Sequence, residues 1–304
     1  MDIACNIDNN YVRFCSIMLV SLFENNRDES FDIHIVTQDL SDEGLQTLKD
    51  VVCKQYGQRI HFYFVGSERL RNFPIDANSH ISISTYLRLF LGSILPESLS
   101  KVLYLDCDII VRSSIADLWN IDLTGYAIGC VEDMWSDRDE NYIRLEYSKE
   151  FLYFNAGMLL VNLDFWRQNH LEEEFVNYVK CNAEKLLFND QDVLNGVLHD
   201  KKLFIPFKWN MQDGFFRRKR RIRKETWDVL DKELRNPAIL HFTGGKKPWH
   251  YKCMHPYKSE FYVYQRLTQW KDCRPKTDYC FLFLMNIQRL AISLRIKRRK
   301  FRKF

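Results

Sequence analysis

Two aspartates one residue apart, Asp106 and Asp108, follow the apolar run Val102-Leu103-Tyr104-Leu105. In an extended chain alternate residues face one side, so their carboxylates would stand about 6–7 Å apart at the carboxyl end of a strand. Ligands of open α/β sheets bind at that end. Two like charges so placed repel unless a cation lies between them, and a hard divalent ion that also bridges phosphate oxygens satisfies both. A bare Asp-x-Asp is more often a turn with two exposed acids; one that ends a buried strand reads as a metal site about as often. His241 ends the run Ala238-Ile239-Leu240 and precedes Gly244-Gly245-Lys246-Lys247. A neutral imidazole supplies a third ligand, glycine N–H groups approach phosphate closely, and a lysine adds a point charge. Alone, a histidine before two glycines is usually structural. Joined to the aspartates, it makes one Asp-Asp-His site with a diphosphate clamp.

Other polar clusters sit at element ends. In Asp8-Asn9-Asn10-Tyr11, Asp8 could accept from a base edge and Tyr11 could stack on a ring; the plain alternative is a helix cap from Asn9 or Asn10. The stretch from His80 to Arg88 brings Tyr86 and Arg88 to a helix start, where Arg88 would meet a phosphate, a sugar hydroxyl or a surface carboxylate. Asn155-Ala156-Gly157 opens a strand and Asn189-Asp190-Gln191-Asp192 opens a helix. Asn, Asp and Gln are side chains that read sugar hydroxyls. Capping accounts for Asn189 or Asp190 but not for Gln191.

These residues need a scaffold. Period-two or buried apolar runs predict strands over 2–7, 31–37 and 59–65, with helical spacing over 11–23 and 41–52, where Ser41 caps. That β-α-β-α-β alternation predicts a parallel sheet with right-handed crossovers. Further expectations are a helix over 85–95 stopped by Pro96, core strands over 126–131 and 158–162, and a helix capped by Asp164 running to Lys180. A short helix over 190–198, a strand over 238–242, a helix over 260–270 and a basic amphipathic helix from Tyr279 complete the pattern.

With 304 residues, 46% of them apolar, the chain has enough material for one large α/β domain and too much for a disordered or disulfide-framed one. Nine cysteines without a CxxC pair read as reduced, non-metal thiols, with Cys5, Cys53, Cys107 and Cys130 in apolar runs expected to be buried. The first residues lack a basic, apolar leader, and no run is long enough to span a bilayer. The net charge of +4 hides an asymmetry: seven positive charges lie between Arg217 and Lys224 and eight between Ile287 and Phe304, with no acid in either block. An acidic body with two basic patches implies an anionic partner. No RNA- or DNA-binding motif accompanies them. Phe281, Leu282, Leu284, Met285, Leu290, Ile292, Leu294 and Ile296 beside the second block instead suit reversible attachment to an anionic membrane.

The stretches DNNY, HISISTYLRL, KVLYLDCDIIV, YFNAGMLLVNLDFWR, NDQDVLNG and HFTGGKKPWH occur in this order. Together they resemble glycosyltransferase family 8, the bacterial lipooligosaccharide and lipopolysaccharide α-galactosyl- and α-glucosyltransferases, over about residues 1–270. The resemblance implies a GT-A fold: a Rossmann-like, nucleotide-binding mixed sheet flanked by helices. It implies a glycosyltransferase domain over 1–275, with a nucleotide-sugar half to about 135 and an acceptor half beyond it, followed by a membrane-association tail over 276–304. Asp106, Asp108 and His241 become implied ligands of Mn²⁺ or Mg²⁺. Asp8 and Asn10 become implied contacts of uracil and ribose, with Tyr11 as the stacking ring. His80, Arg88 and Cys107 match the donor pocket. Asp133, Asn155, Ala156, Asp190 and Gln191 match donor-sugar contacts, and Gly244 and Lys247 match the diphosphate clamp.

The implied reaction moves galactose or glucose from UDP-galactose or UDP-glucose to a lipopolysaccharide or other surface-glycan acceptor, with retention, giving an α-linkage. Gln191, an amide and a poor nucleophile, would stabilise developing positive charge during same-face attack; Asp190 is the rival, covalent nucleophile. The implied location is cytoplasmic, on the inner face of the cell membrane. The alternatives are a non-catalytic nucleotide- or carbohydrate-binding protein and a UDP-sugar hydrolase on the same fold. One departure stands out: FFRRKRRIRK, on the acceptor side in similar enzymes, is unusually basic here. It suits an acidic or phosphorylated acceptor, or it is a solvated loop.

Overall fold

The computed structural model describes residues 1–71, 73–74, 83–294, 296 and 298–302, with the backbone alone for Ile83 and Arg289. The strands are β1 (Asp2–Asn6), β2 (Asp32–Thr37), β3 (Arg59–Phe64), β4 (Lys101–Leu105), β5 (Ile109–Val111), β6 (Ile128–Glu132), β7 (Phe154–Asn162), β8 (Lys202–Phe204), β9 (Met211–Gln212) and β10 (Ile239–His241). Seven of them form one sheet in the order β3-β2-β1-β4-β7-β6-β8, and the others form a small sheet in the order β5-β10-β9.

The N-terminal half follows the sequence expectation: β1, β2, β3 and β4 pair in parallel. The sheet is mixed because β7 lies antiparallel between β4 and β6. The chain from β6 to β7 stays at one end of the sheet instead of crossing its face, and a return from the same end must run antiparallel. That end-loop carries Asp133, Met134 and Trp135. The register of β6 on β7 breaks between Cys130 and Val131, so Val131 opposes Asn155. Such an irregularity re-aims side chains at a strand end, here those of Asn155 and its neighbours.

Both faces of the large sheet are covered. Ile3, Cys5, Leu103 and Leu105 pack on one side with the helix Val12–Glu24, while Ala4, Val102, Tyr104 and Val161 pack on the other with Trp166 and Phe175. Each fully buried large apolar side chain contributes roughly 1.5–3 kcal/mol to holding this frame.

Several local expectations are corrected. Residues 83–90 form a 3-10 helix that becomes α-helical only over Leu91–Ile94. The expected helix from Asp164 to Lys180 is two helices, Leu163–Gln168 and Leu171–Asn182, broken where His170 takes a left-handed backbone with φ of 51°. Its cap is Asn162, which accepts from the Phe165 amide at 3.0 Å, and not Asp164. Ser41 does cap Asp42–Lys49, accepting from Gly44 N at 3.2 Å. All nine cysteines are free; Cys5, Cys107 and Cys130 are buried, but Cys53 is exposed.

The tail helix, Tyr279–Ser293, is followed by chain that returns to the body. Phe301 pairs antiparallel with Arg217, Arg218 N donates to Lys300 O at 3.2 Å, and Arg302 N donates to Phe216 O at 2.9 Å. None of the described helices is long and apolar enough to cross a membrane.

Candidate active site

The chain leaves the large sheet at Leu105, turns through Asp106-Cys107-Asp108, and enters the small sheet at Ile109. The two aspartates therefore sit in a turn between sheets and not in one extended strand as expected. The turn, and not period-two alternation, points both carboxylates at His241, whose backbone pairs with Ile109 across β5 and β10. One ligand atom from each of Asp106, Asp108 and His241 lies within 4.8 Å of the others. His241 Nε2 is 3.1 Å from Asp108 Oδ1 and 3.8 Å from Asp106 Oδ2.

The surroundings settle which imidazole nitrogen faces the acids. Asn210 Nδ2 donates to Asn155 Oδ1 at 2.9 Å, which turns Asn210 Oδ1 to His241 Nδ1, also at 2.9 Å. Nδ1 thus carries the hydrogen, an assignment made from this amide network. In the neutral ring Nε2 then offers a lone pair. Asp108 Oδ1 is buried without a hydrogen bond although this nitrogen is beside it. Two acceptors facing each other across that distance are unfavourable unless a cation joins them. Two carboxylate oxygens and an imidazole oriented by a carbonyl oxygen suit Mn²⁺ or Mg²⁺, so the donor set fits a divalent ion.

Gly157 makes this approach possible. Asp106 N donates to Gly157 O at 2.8 Å. A Cβ at Gly157 would fall 2.1 Å from His241 Cε1 and 2.6 Å from Asp106 Oδ2. The other ligand groups are tied down as well. Asp106 Oδ1 accepts from Arg88 Nη2 at 3.0 Å and Tyr104 OH at 2.9 Å. Asp108 accepts from Lys247 Nζ, which also reaches Phe242 O at 2.7 Å. Burial opposes charge on Asp108, but the Lys247 ammonium holds its carboxyl well below the ordinary carboxylate range.

A second layer of polar groups adjoins the first. Arg88 is no surface residue: it is 6% exposed. Its Nε lies 2.9 Å from Asp190 Oδ2, its Nη1 donates to Ala156 O at 2.8 Å, and its guanidinium carbon lies 4.3 Å from the Tyr104 ring centroid. It bridges Asp106 and Asp190. Burial disfavours its charge, but the two carboxylates outweigh that and raise its affinity for the proton. Asp190 Oδ1 accepts from Thr85 Oγ1 at 2.5 Å, so both of its oxygens are engaged. Burial pushes its carboxyl up to about 6, against the pull of Arg88. Gln191 Oε1 accepts from Asn155 Nδ2 and Ala156 N, each at 3.1 Å. Asp133 Oδ2 accepts from Asn155 Nδ2 at 3.1 Å and from Gln191 Nε2 at 3.4 Å. Burial raises the Asp133 carboxyl above its usual range. One amide relay thus runs from His241 through Asn210 and Asn155 to Asp133 and Gln191.

At the end of β1, Asp8 is itself the cap, accepting from Asn10 N at 2.9 Å, and Asn9 Oδ1 accepts from Ser41 N at 2.8 Å. Tyr11 is half-buried; burial first, and then Asp108, Cys107, Asp8 and Asp106, push its hydroxyl up to about 12, which places the ring beside the carboxylate turn. Cys107 turns its thiol into the core against Cys15 and is no side-chain contact of the cluster. A side chain at Gly244 would run into the Asp213 carboxylate. His80 lies outside the described residues. Sequence reasoning missed Thr85, Tyr104, Gly157, Asn210 and Asp213. Of these only Gly157 carried a signal, a glycine inside a strand, which marks close backbone approach. A cavity of about 1180 Å³ lies under the tail helix, but among the described residues its only lining carboxylate, Asp231, is already paired with Arg220 and Arg302, so the chemistry is not there.

A family model described as glycosyl transferase family 8 matches residues 2–253. General stress protein A of Bacillus subtilis (strain 168) is 28% identical over 280 residues, covering 89% of this chain and 94% of that protein. The lipopolysaccharide 1,3-galactosyltransferase of Salmonella typhimurium (strain LT2) is 26% identical over 279 residues, covering 90% of this chain and 80% of that protein. Among solved structures, the galactosyltransferase LgtC in complex with donor and acceptor sugar analogues superposes with a TM-score of 0.79 at 28% identity, covering 88% of this chain and 96% of that one. The mixed seven-stranded sheet flanked by helices is that enzyme's GT-A fold. The chain belongs to glycosyl transferase family 8 and is a glycosyltransferase.

Proposed function

We propose that the protein transfers galactose or glucose from UDP-galactose or UDP-glucose to a lipopolysaccharide or other surface-glycan hydroxyl, with retention, in the presence of Mn²⁺ or Mg²⁺. The observation that carries this reading is the pair of facing acceptors, Asp108 Oδ1 and His241 Nε2, 3.1 Å apart with no hydrogen bond between them. Asp106, Asp108 and His241 hold the ion. When bound, it neutralises charge on the departing diphosphate.

The protein's own groups do the rest. Asp8, Asn10 and Tyr11 bind the nucleoside. Gly244 and Lys247 clamp the diphosphate. Asp133, Asn155, Ala156, Asp190 and Gln191, with Arg88 behind them, read the sugar hydroxyls. In this reading the halves 1–135 and 136–275 divide by ligand and not by folding unit, since β1 and β7 share one sheet. Asp190 is held on both oxygens by Thr85 and Arg88, which leaves it poorly placed for nucleophilic attack. Gln191 presents a carbonyl oxygen fixed by two donors, and an amide dipole so fixed stabilises developing positive charge on the anomeric carbon. Same-face attack with Gln191 in that role follows. The tail helix exposes Phe283, Leu284 and Leu290 beside the basic cluster, and this surface binds anionic lipid on the cytoplasmic face of the membrane.

The test uses UDP-galactose and UDP-glucose with Mn²⁺. Metal-dependent release of UDP is expected, abolished by chelator and by Asp106→Ala with Asp108→Ala, and with a glycan acceptor present an α-linked product by NMR. Full turnover after metal removal would defeat the reading. Release of free sugar with every acceptor tried would make the protein a hydrolase.

A further inference from the structure

Four of the seven positive charges of residues 217–224 fall into two pairs once their partners are known. Arg220 is buried and ion-paired with Asp231, and Arg223 lies 3.1 Å from Glu132. Those two hold the segment to the body. Arg217 and Arg221 are different. Their guanidinium carbons both lie 5.5 Å from the ring centroid of Trp135, and that of Arg138 lies 4.0 Å from the same centroid. Three arginines thus surround one indole.

Nearby acids are already committed. Glu132 pairs with Arg223, Asp137 and Asp139 pair with Lys149 at 3.1 and 2.8 Å, and Asp231 pairs with Arg220 and Arg302. Among the described residues, no carboxylate lies within ion-pair distance of Arg138, Arg217 or Arg221. Nε of Arg138 and Nε of Arg217 are buried with no hydrogen-bond partner. Asp213 feels the Arg217 charge, but no described acid pairs with any of the three guanidiniums, and like charges held together repel, so this cluster is short of an anion.

Its position tells which anion. Trp135 N donates to Asp133 Oδ1 at 2.8 Å, so the indole is anchored to the end of the sugar-reading group. Arg217 N donates to Gly214 O at 3.1 Å, and Gly214 N meets Met134 Sδ at 3.1 Å. The cluster therefore adjoins Asp133, at the edge of the group read above as holding the donor sugar. The donor's diphosphate already has Lys247 and the carboxylate-held ion. What extends past the sugar is the acceptor. Planar guanidiniums gathered around one indole match the terminal oxygens of a phosphate ester better than the two oxygens of a carboxylate.

We propose that Arg138, Arg217 and Arg221, arrayed around Trp135, bind a phosphate ester carried by the acceptor glycan. The inference rests on the donor-site reading above, and the test separates the two. Wild-type protein loaded with UDP and Mn²⁺ is titrated with glucose, glucose 6-phosphate and inorganic phosphate, followed by ligand-observed NMR. Glucose 6-phosphate is expected to bind about tenfold tighter than either of the others. That advantage should disappear in high salt and in the R138Q/R217Q/R221Q variant, while UDP affinity and thermal melting stay unchanged. The R217K/R221K variant keeps the charge and loses the planar fork, so it should retain only part of the preference. Equal binding of glucose and glucose 6-phosphate, a preference that survives in the glutamine variant, or inorganic phosphate binding as tightly as the sugar phosphate would each overturn the proposal. The last outcome would mean an adventitious ion only. Failure of UDP to bind the wild type with Mn²⁺ would instead count against the donor site.

Discussion

Gly157 shows how one missing side chain permits chemistry. A Cβ added there would lie 2.1 Å from His241 Cε1 and 2.6 Å from Asp106 Oδ2, so Gly157→Ala displaces the imidazole and the carboxylate while keeping every ligand residue. Mn²⁺ affinity measured by calorimetry in the presence of UDP should fall about tenfold or more. Unchanged affinity would show that His241 does not ligate. Asp190 offers a pH test. Its carboxyl is raised to about 6 by burial, so between its unfolded value near 4 and about 6 the native protein holds more protons than the unfolded chain. Stability from this group then falls as pH rises through that window and the loss is complete above it. Relative to wild type, Asp190→Asn should gain roughly 3 kcal/mol between pH 4 and pH 7, read by urea unfolding at both pH values. A difference that does not change with pH would contradict the assignment.

The helix Asn189–Leu198 must present Asp190 and Gln191 in fixed positions, and its first turn is fastened by one residue. Asp192 is fully buried and accepts from Arg144 Nη1 and Nη2 at 2.6 and 2.9 Å, from Tyr153 OH at 2.7 Å, and from the amides of Leu187 and Phe188, both at 2.7 Å. Asp192→Asn leaves Arg144 without its counter-charge and replaces one accepting oxygen with an amide N–H that faces donors. Breaking a buried pair on one side costs about 3–5 kcal/mol, and a midpoint shift of that size in chemical denaturation is expected. The type of this element was legible in its spacing. Its anchor was not, because Arg144 and Tyr153 come from distant sequence.

Across the whole molecule, the tail and the basic segment are one assembly. The chain after the tail helix pairs with Phe216, Arg217 and Arg218, and Arg302 shares Asp231 with Arg220. Removing residues 299–304 should leave metal-dependent release of UDP in solution intact while the Arg218 amide, now unbonded, loses its protection against hydrogen exchange. Retained protection there would show that the tail does not hold this loop. The sequence by itself determined the parallel strands, the acids that follow β4, the glycine pair after β10 and the order of motifs, since each is written in residues close along the chain and follows from local periodicity or side-chain chemistry. Tertiary structure alone decided that Asp106 and Asp108 meet His241 through a turn between two sheets, that Asn210 orients the imidazole, that Arg88 lies buried between two acids, and that only some of the arginines of 217–224 are spoken for. Those outcomes depend on which distant side chain fills the space opposite, and pairing of that kind leaves no trace in spacing or composition.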